Sequence, residues 1–261
     1  MKKIISAMCM LAGVFYAATA SADVIQWSYS ESLVWSGQTY GAGGGTQLNT
    51  PSSLSWGTTG GSSALGGNRS SLVISPTSST GTVNTNGAIV PTNTITHTNN
   101  PLDGTLATLL SATLTNTLTL TPTNPAGAAL PTQTINFAID FKETPNSTPC
   151  GFTSVSVCDD IFVITLGALN QSFVYAGNTY FVSIVNLTNN LLPLPAATCA
   201  QAGAAAGCIG FTTQENTATA TRFGFEITEQ AVTIPEPGEL ALLAIGLLGL
   251  YFVRNRKSIK L

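Results

Sequence analysis

A single histidine, His97, lies in the run Thr96-His97-Thr98-Asn99. Paired with a serine and a carboxylate it would complete a nucleophilic triad, but the chain has no Gly-x-Ser-x-Gly turn to present the serine. Following the strand-like Thr94-Ile95-Thr96, His97 is expected to fix a turn through side-chain to backbone bonds. Carboxylates offer a second chemistry. Asp140 and Glu143 flank Lys142, and Asp159 and Asp160 follow Cys158. Two carboxyls at a fixed separation can hydrolyse a glycosidic bond, or, with carbonyl help, ligate Ca²⁺. Asp159 and Asp160 are the candidates for calcium, although no EF-hand loop surrounds them. Their plainer role is that of solvated acids at the start of an apolar strand. Trp27, Trp35 and Trp56, with Tyr29 and Tyr40, are of the type that stacks on sugar rings; the favoured expectation is that they anchor the core. The glycine runs lack the Gly-Lys-Ser/Thr ending of a phosphate cradle, and no cofactor is expected.

The elements that must hold these residues are strands. Apolar residues alternate with polar ones at Ile135, Phe137, Ile139 and Phe141, the period of a half-buried strand. Leu114, Leu118 and Leu120 alternate with threonines in the same way. The stretch from Val24 to Trp35 is β-rich, and Leu72 to Ile74 is a short strand ended by Pro76. Ile161 to Leu166 is apolar on both faces and belongs in a sheet centre. Phe173 to Tyr175 and Thr179 to Val185 flank Ala176-Gly177-Asn178, a hairpin signal. Phe223, Phe225 and Ile227 supply the last strand. Prolines are expected between strands, where they break no ladder. No stretch of the central region carries a helical apolar face. The expected architecture is all-β, an antiparallel β-sandwich of jelly-roll or immunoglobulin-like type.

The cysteines add staples. Cys150, Cys158, Cys199 and Cys208 remain once Cys9 leaves with a signal peptide. In an exported chain four cysteines predict two disulfides, and three pairings are open. The local pairs Cys150–Cys158 and Cys199–Cys208 are favoured, because each closes a short loop of mostly small residues. Metal binding by these thiols is disfavoured, since it would want C-x₂-C spacing or histidine partners and the chain has a single histidine.

Both ends read as addresses. Met1-Lys2-Lys3, the apolar stretch from Ile4 to Ala18, and Ala20-Ser21-Ala22 form a signal peptide over 1–22. One exported domain then runs over 23–234. The segment 235–261 opens with Pro235-Glu236-Pro237, continues with an uncharged apolar run at 240–253, and ends with Arg254, Arg256 and Lys257. As a helix that run spans roughly 21 Å, short for a bilayer core of about 30 Å. The basic end is expected to stay cytoplasmic. This order of signal, apolar run and basic stop resembles the PEP-CTERM sorting tail of exported Gram-negative proteins. The resemblance implies an exosortase as partner and an inner-membrane-anchored precursor, later delivered to the cell surface or matrix.

Interior segments carry a finer resemblance. Leu54-Ser55-Trp56-Gly57, Ser70-Ser71-Leu72, the Thr96, His97, Asn99 element, the run from Leu114 to Pro122, and Cys158-Asp159-Asp160-Ile161-Phe162 together resemble the THxN family of PEP-CTERM proteins. That implies export, sorting and a surface or matrix role, and it carries over no catalytic assignment.

Composition sets the chemistry of partners. Charged residues are 8% of the chain, against about 25% in ordinary proteins. Within 23–234 only Arg69, Lys142 and Arg222 are basic and ten residues are acidic, leaving a net charge of −7. Such a surface is unsuited to nucleic acid. Ser, Thr, Asn and Gly suit a polysaccharide-rich exterior. The function expected is that of a non-catalytic exported surface or matrix protein associated with exopolysaccharide or biofilm. The alternatives are a glycan-binding module, calcium-dependent or not, and a glycan hydrolase.

Overall fold

Apolar side chains every second residue fold this chain into two antiparallel sheets. The computed structural model describes residues 23–58, 69–165 and 170–230. The expected signal helix over 1–22, the sorting tail over 235–261 and most of the second glycine-rich loop lie outside the described residues. Among the described residues no helix is long and apolar enough to cross a membrane.

In chain order the strands are β1 (Gln26–Tyr40), β2 (Leu48–Thr50), β3 (Ser53–Gly57), β4 (Arg69–Ser75), β5 (Ser78–Asn84), β6 (Val90–Asn99) and β7 (Leu109–Asn124). They continue with β8 (Gln133–Lys142), β9 (Asp160–Ile164), β10 (Asn170–Tyr175), β11 (Asn178–Asn186) and β12 (Leu192–Pro193). A short helix α1 (Ala196–Gln201) precedes β13 (Ile209–Thr213) and β14 (Thr217–Thr228). The first sheet runs β12-β13-β9-β8-β7-β1-β5 and the second β10-β11-β14-β6-β4-β3-β2. Every paired strand is antiparallel.

The inner faces meet in a sandwich-like core. Leu33, Trp35, Leu114, Phe137 and Phe141 of the first sheet pack with Leu54, Trp56, Leu72 and Ile95 of the second. Towards the other end Trp27, Tyr29 and Leu120 pack with Tyr180, Phe225 and Ile227. β9 is buried along its whole length between β8 and β13, as its two-sided apolar pattern requires. The β10–β11 hairpin turns at Ala176 and Gly177, both at positive φ, the geometry of a two-residue type I′ turn. The other glycine run folds against the body: Gly45 has φ +87°, and a Cβ there would lie 2.6 Å from the carbonyl of Gly57.

Two expectations need correction. The stretch around Cys199 forms the helix α1, short and tied by the Cys199–Cys208 bridge. Pro91 and Pro122 lie within β6 and β7 instead of between strands. Each sits near a strand end where the pairing register shifts, at Arg222/Gly224 and at Gln26/Trp27. An irregular ladder has no N–H to lose there.

The outer face of the first sheet is uniform. Ser28, Ser30 and Ser32 of β1 pair with Thr121, Thr119 and Thr117 of β7 on one side and with Thr82, Thr80 and Ser78 of β5 on the other. Thr115 and Thr117 pair in turn with Asn136 and Thr134 of β8. Glu31 of β1 points inward, so charge first appears on this face at Asp140 and Lys142, at the end of β8.

Both disulfides form in the local pairing, Cys150–Cys158 and Cys199–Cys208. Closing a loop of this length in the unfolded chain removes entropy equivalent to about 2.5 kcal/mol per bridge. The double substitution Cys150→Ser with Cys158→Ser is therefore expected to lower unfolding free energy by about that amount. A denaturant titration checks it; an unchanged midpoint would show that the loop is held without the bridge.

Candidate functional site

The residues of the Thr-His-x-Asn element divide by strand alternation. Thr96 and Thr98 are partly exposed on the outer face of β6, while His97 and Asn99 are fully buried on its inner face. His97 thus fixes no turn: it is an interior strand residue. Its ring meets Phe141 edge-on with centroids 5.0 Å apart, and lies parallel to Trp56 at 6.4 Å.

Across the core from His97 three elements of the first sheet deliver carboxyls. Asp160 opens β9, Glu143 follows β8, and Glu215 sits in the turn between β13 and β14. His97 Nε2 stands 3.6 Å from Asp160 Oδ2. Trp56 Nε1 donates to Glu143 Oε2 at 2.6 Å, and Ser70 Oγ donates to Glu143 Oε1 at 3.4 Å. The Thr144 amide donates to Asp160 Oδ1 at 2.9 Å. Asn99 Nδ2 donates to the Thr213 carbonyl at 2.9 Å and to Glu215 Oε1 at 3.3 Å. The hydroxyl of Thr144 donates to the Cys158 carbonyl, so the disulfide loop is tied to the carboxyl cluster.

Protonation follows from burial. Desolvation pushes Glu143 up to about 7, against the opposing bonds from Trp56, Asp160 and Ser70. Asp160 is raised well above the usual carboxylate range by burial first and then by the charge of Glu143. Glu215 rises to about 7, again mainly through burial. Burial lowers His97 to about 3. The His97–Asp160 contact therefore joins two neutral groups and is no ion pair. Asp159 goes the other way. Burial raises it, but donors from Ser156, Val155 and Ser154 outweigh that and hold it below its ordinary value.

The cluster holds an excess of polar atoms. Both ring nitrogens of His97, Asn99 Oδ1, Asp160 Oδ2, Thr213 Oγ1 and Glu215 Oε2 are buried without a hydrogen-bond partner. A smaller polar pocket lies near mid-sheet, where Asn116 Nδ2 donates to Glu31 Oε1. Burial raises Glu31 too. The cavity beside it, bounded by Glu31, Asn93 and Asn116, measures about 20 Å³, the space of about one water.

These positions correct several sequence expectations. Asp159 and Asp160 are 1% and 0% exposed, so they are not solvated strand-end acids. Asp159 spends both oxygens on the amides of Ser156 and Val155, and among the described residues no group of three His, Cys, Asp or Glu side chains could hold a metal ion. Trp27, Trp35 and Trp56 are 0%, 5% and 0% exposed and belong to the core. They anchor the core, as favoured, and are no glycan contacts, because a buried indole offers no face to a sugar. Asp140 and Glu143 do not form a pair: Asp140 faces outward on β8, and Glu143 joins Asp160. Sequence reasoning missed Glu215 and the partnership of His97 with Asp160. The available signal was that His97 and Asn99 stand two apart and share a face with Ile95.

No curated protein matches the chain. The PEP-CTERM protein-sorting motif matches residues 233–257, which include Pro235, Glu236 and Pro237 and run through Lys257. The chain is thus similar at its end to PEP-CTERM proteins, and that motif marks it as an exported protein sorted by an exosortase.

Proposed function

We propose that this chain is a non-catalytic surface or extracellular-matrix protein of the THxN type, associated with exopolysaccharide. The sorting motif over 233–257 carries the reading, since a chain addressed in this way acts outside the cell. The signal peptide over 1–22 takes it across the inner membrane. The apolar segment 240–253 then holds a precursor there, with Arg254, Arg256 and Lys257 on the cytoplasmic side, until processing near Pro235-Glu236-Pro237 releases residues 23–234. Two further features support a role without chemistry. His97 and Asp160 have no exposed surface, so among the described residues the cluster that resembles an acid–base site is closed to a substrate. Disulfides suit an oxidising exterior.

The test is Glu236→Ala in the producing cells. The expected outcome is a full-length precursor that stays with the membrane fraction while the native protein is trimmed and released, followed by immunoblot and mass spectrometry of both fractions. Normal release of the variant would remove the sorting step. Recovery of the native protein away from envelope, surface and matrix would remove the location.

A further inference from the structure

The geometry points to the outer face of the first sheet, over β5, β1, β7 and β8, as a docking surface for a neutral polysaccharide. The inference rests on the matrix reading and names the surface and the class of glycan. Hydroxyls on this face recur about every 6.8 Å along a strand and about every 4.8 Å between strands. Ser28, Ser30 and Ser32 lie in register with Thr121, Thr119 and Thr117, so the rows run straight across the sheet. The hydroxyls are aligned by one another: Thr115 Oγ1 donates to Asn136 Oδ1 at 2.8 Å, Thr39 and Ser111 share a bond of 2.7 Å, and so do Thr119 and Thr132.

Charge decides the kind of partner. The exported region carries a net −7, yet the acidic Glu31 of β1 is turned into the core. An anionic polymer would be repelled by the molecule as a whole and would find no cation on this face before Lys142. A protein partner would want aromatic or apolar anchors, and the partly exposed rows described here offer hydroxyls, one amide and Val34. A neutral glycan presents the same hydroxyl chemistry and can exchange one solvated hydrogen bond for another along its length. Each exchange is weak, so binding accumulates over a polymer and is slight for a short oligosaccharide. The outer face of the second sheet differs: Arg69 of β4 and Arg222 of β14 interrupt it.

The experiment is affinity electrophoresis of the released protein through gels holding cellulose derivatives, dextran, galactomannan or alginate, with pull-down on the producing cells' own matrix. The key variant is the triple substitution Thr115→Val, Thr117→Val, Thr119→Val, which removes hydroxyls but keeps a shape that favours strands. Retardation by a neutral polymer is expected, weakened about tenfold or more in the triple variant, because three hydrogen bonds are lost together. The control Thr96→Val with Thr98→Val, on the opposite sheet, should migrate like the native protein. Matching thermal unfolding of native and variant proteins shows that the fold is kept; if the triple variant fails to fold, Ser30→Ala with Ser32→Ala asks the same question with smaller side chains. Equal retardation of native and variant protein, or retardation by alginate alone, overturns the surface and leaves the matrix reading standing. Failure to bind even the cells' own matrix overturns both.

Discussion

Raising the pH from about 5 to about 8.5 is expected to lower the unfolding temperature of the β-sandwich by roughly 5–10 °C. The sign follows from the direction of the shifts. Glu143 has its folded value raised from 4.5 to about 7, so the unfolded chain gives up its proton first. The stability it contributes is complete below pH 4.5 and is lost as the pH climbs through 7. One pKa unit is about 1.4 kcal/mol, so this shift is worth about 3 kcal/mol. Asp160 and Glu31 act in the same direction, both through burial. Glu215 does so more weakly than its value suggests, because it is about half solvent-screened. Two groups oppose them: burial lowers His97 from 6.5 to about 3, so the stability it contributes is complete above 6.5 and is lost as the pH falls towards 3, and the lowered value of Asp159 gives stability that is present above 3.8 and lost as the pH falls further. The optimum therefore lies on the acidic side of neutral. Asp160→Asn keeps an acceptor for the Thr144 amide and removes one ionisation, so its profile should be flatter than the native one. A scanning-calorimetry series decides the matter. A profile that is level or rises between these limits would mean that the carboxyls do not outweigh His97, as expected if they are solvated in solution.

The unpartnered atoms of the cluster sharpen this expectation. A buried carboxyl with a free oxygen is tolerated when it is protonated and costs most when it is charged. Asp160 Oδ2 and both nitrogens of His97 are in that position. Keeping Asp160 protonated and His97 neutral is the arrangement that minimises the charge left in the core.

The fold was legible wherever alternation was apolar. Ile135, Phe137, Ile139 and Phe141 announced β8, and Ile161 to Ile164 announced a strand covered on both faces. β5 gave no such signal, because only Val83 of its seven residues is a buried apolar side chain. The candidate site was hidden for a related reason. On β6 the inward positions after Ile95 are His97 and Asn99, so the hydrophobic period fades where the cluster begins. Glu215 was beyond reach, since Gln214-Glu215-Asn216 reads as a solvated turn and only the β13–β14 connection carries it towards Asn99. The tryptophans are core anchors, the favoured of their two readings; surface platforms stayed open because an isolated aromatic among serines carries no mark of the face it takes. Register against β7, β4 and β6 sets that face.

Trp56→Ala is expected to be the most damaging single change, costing about 5 kcal/mol at neutral pH. That is a large part of the stability of an ordinary domain. Truncating a fully buried tryptophan costs about 3–5 kcal/mol by itself. Loss of the Nε1–H donor to Glu143 adds the penalty of a buried carboxyl left short of a partner, about 1–3 kcal/mol. Contacts with His97 and Phe141 go as well. Reduced release from cells and a urea midpoint shifted far towards zero are the expected readouts. Trp56→Phe separates the two effects: it keeps most of the ring and removes only the donor. Since that hydrogen bond lowers the pKa of Glu143, it favours the ionised carboxylate over the neutral acid. The loss from Trp56→Phe should therefore be larger at about pH 8 than at about pH 5. Trp27→Phe is the contrast. Its Nε1 donates to Thr85 Oγ1 at 3.0 Å in the other core cluster, away from Asp160 and Glu143. Its cost should be the same at both pH values. Equal losses for Trp56→Phe at the two pH values would mean that this indole packs the core without governing the charge state of the cluster.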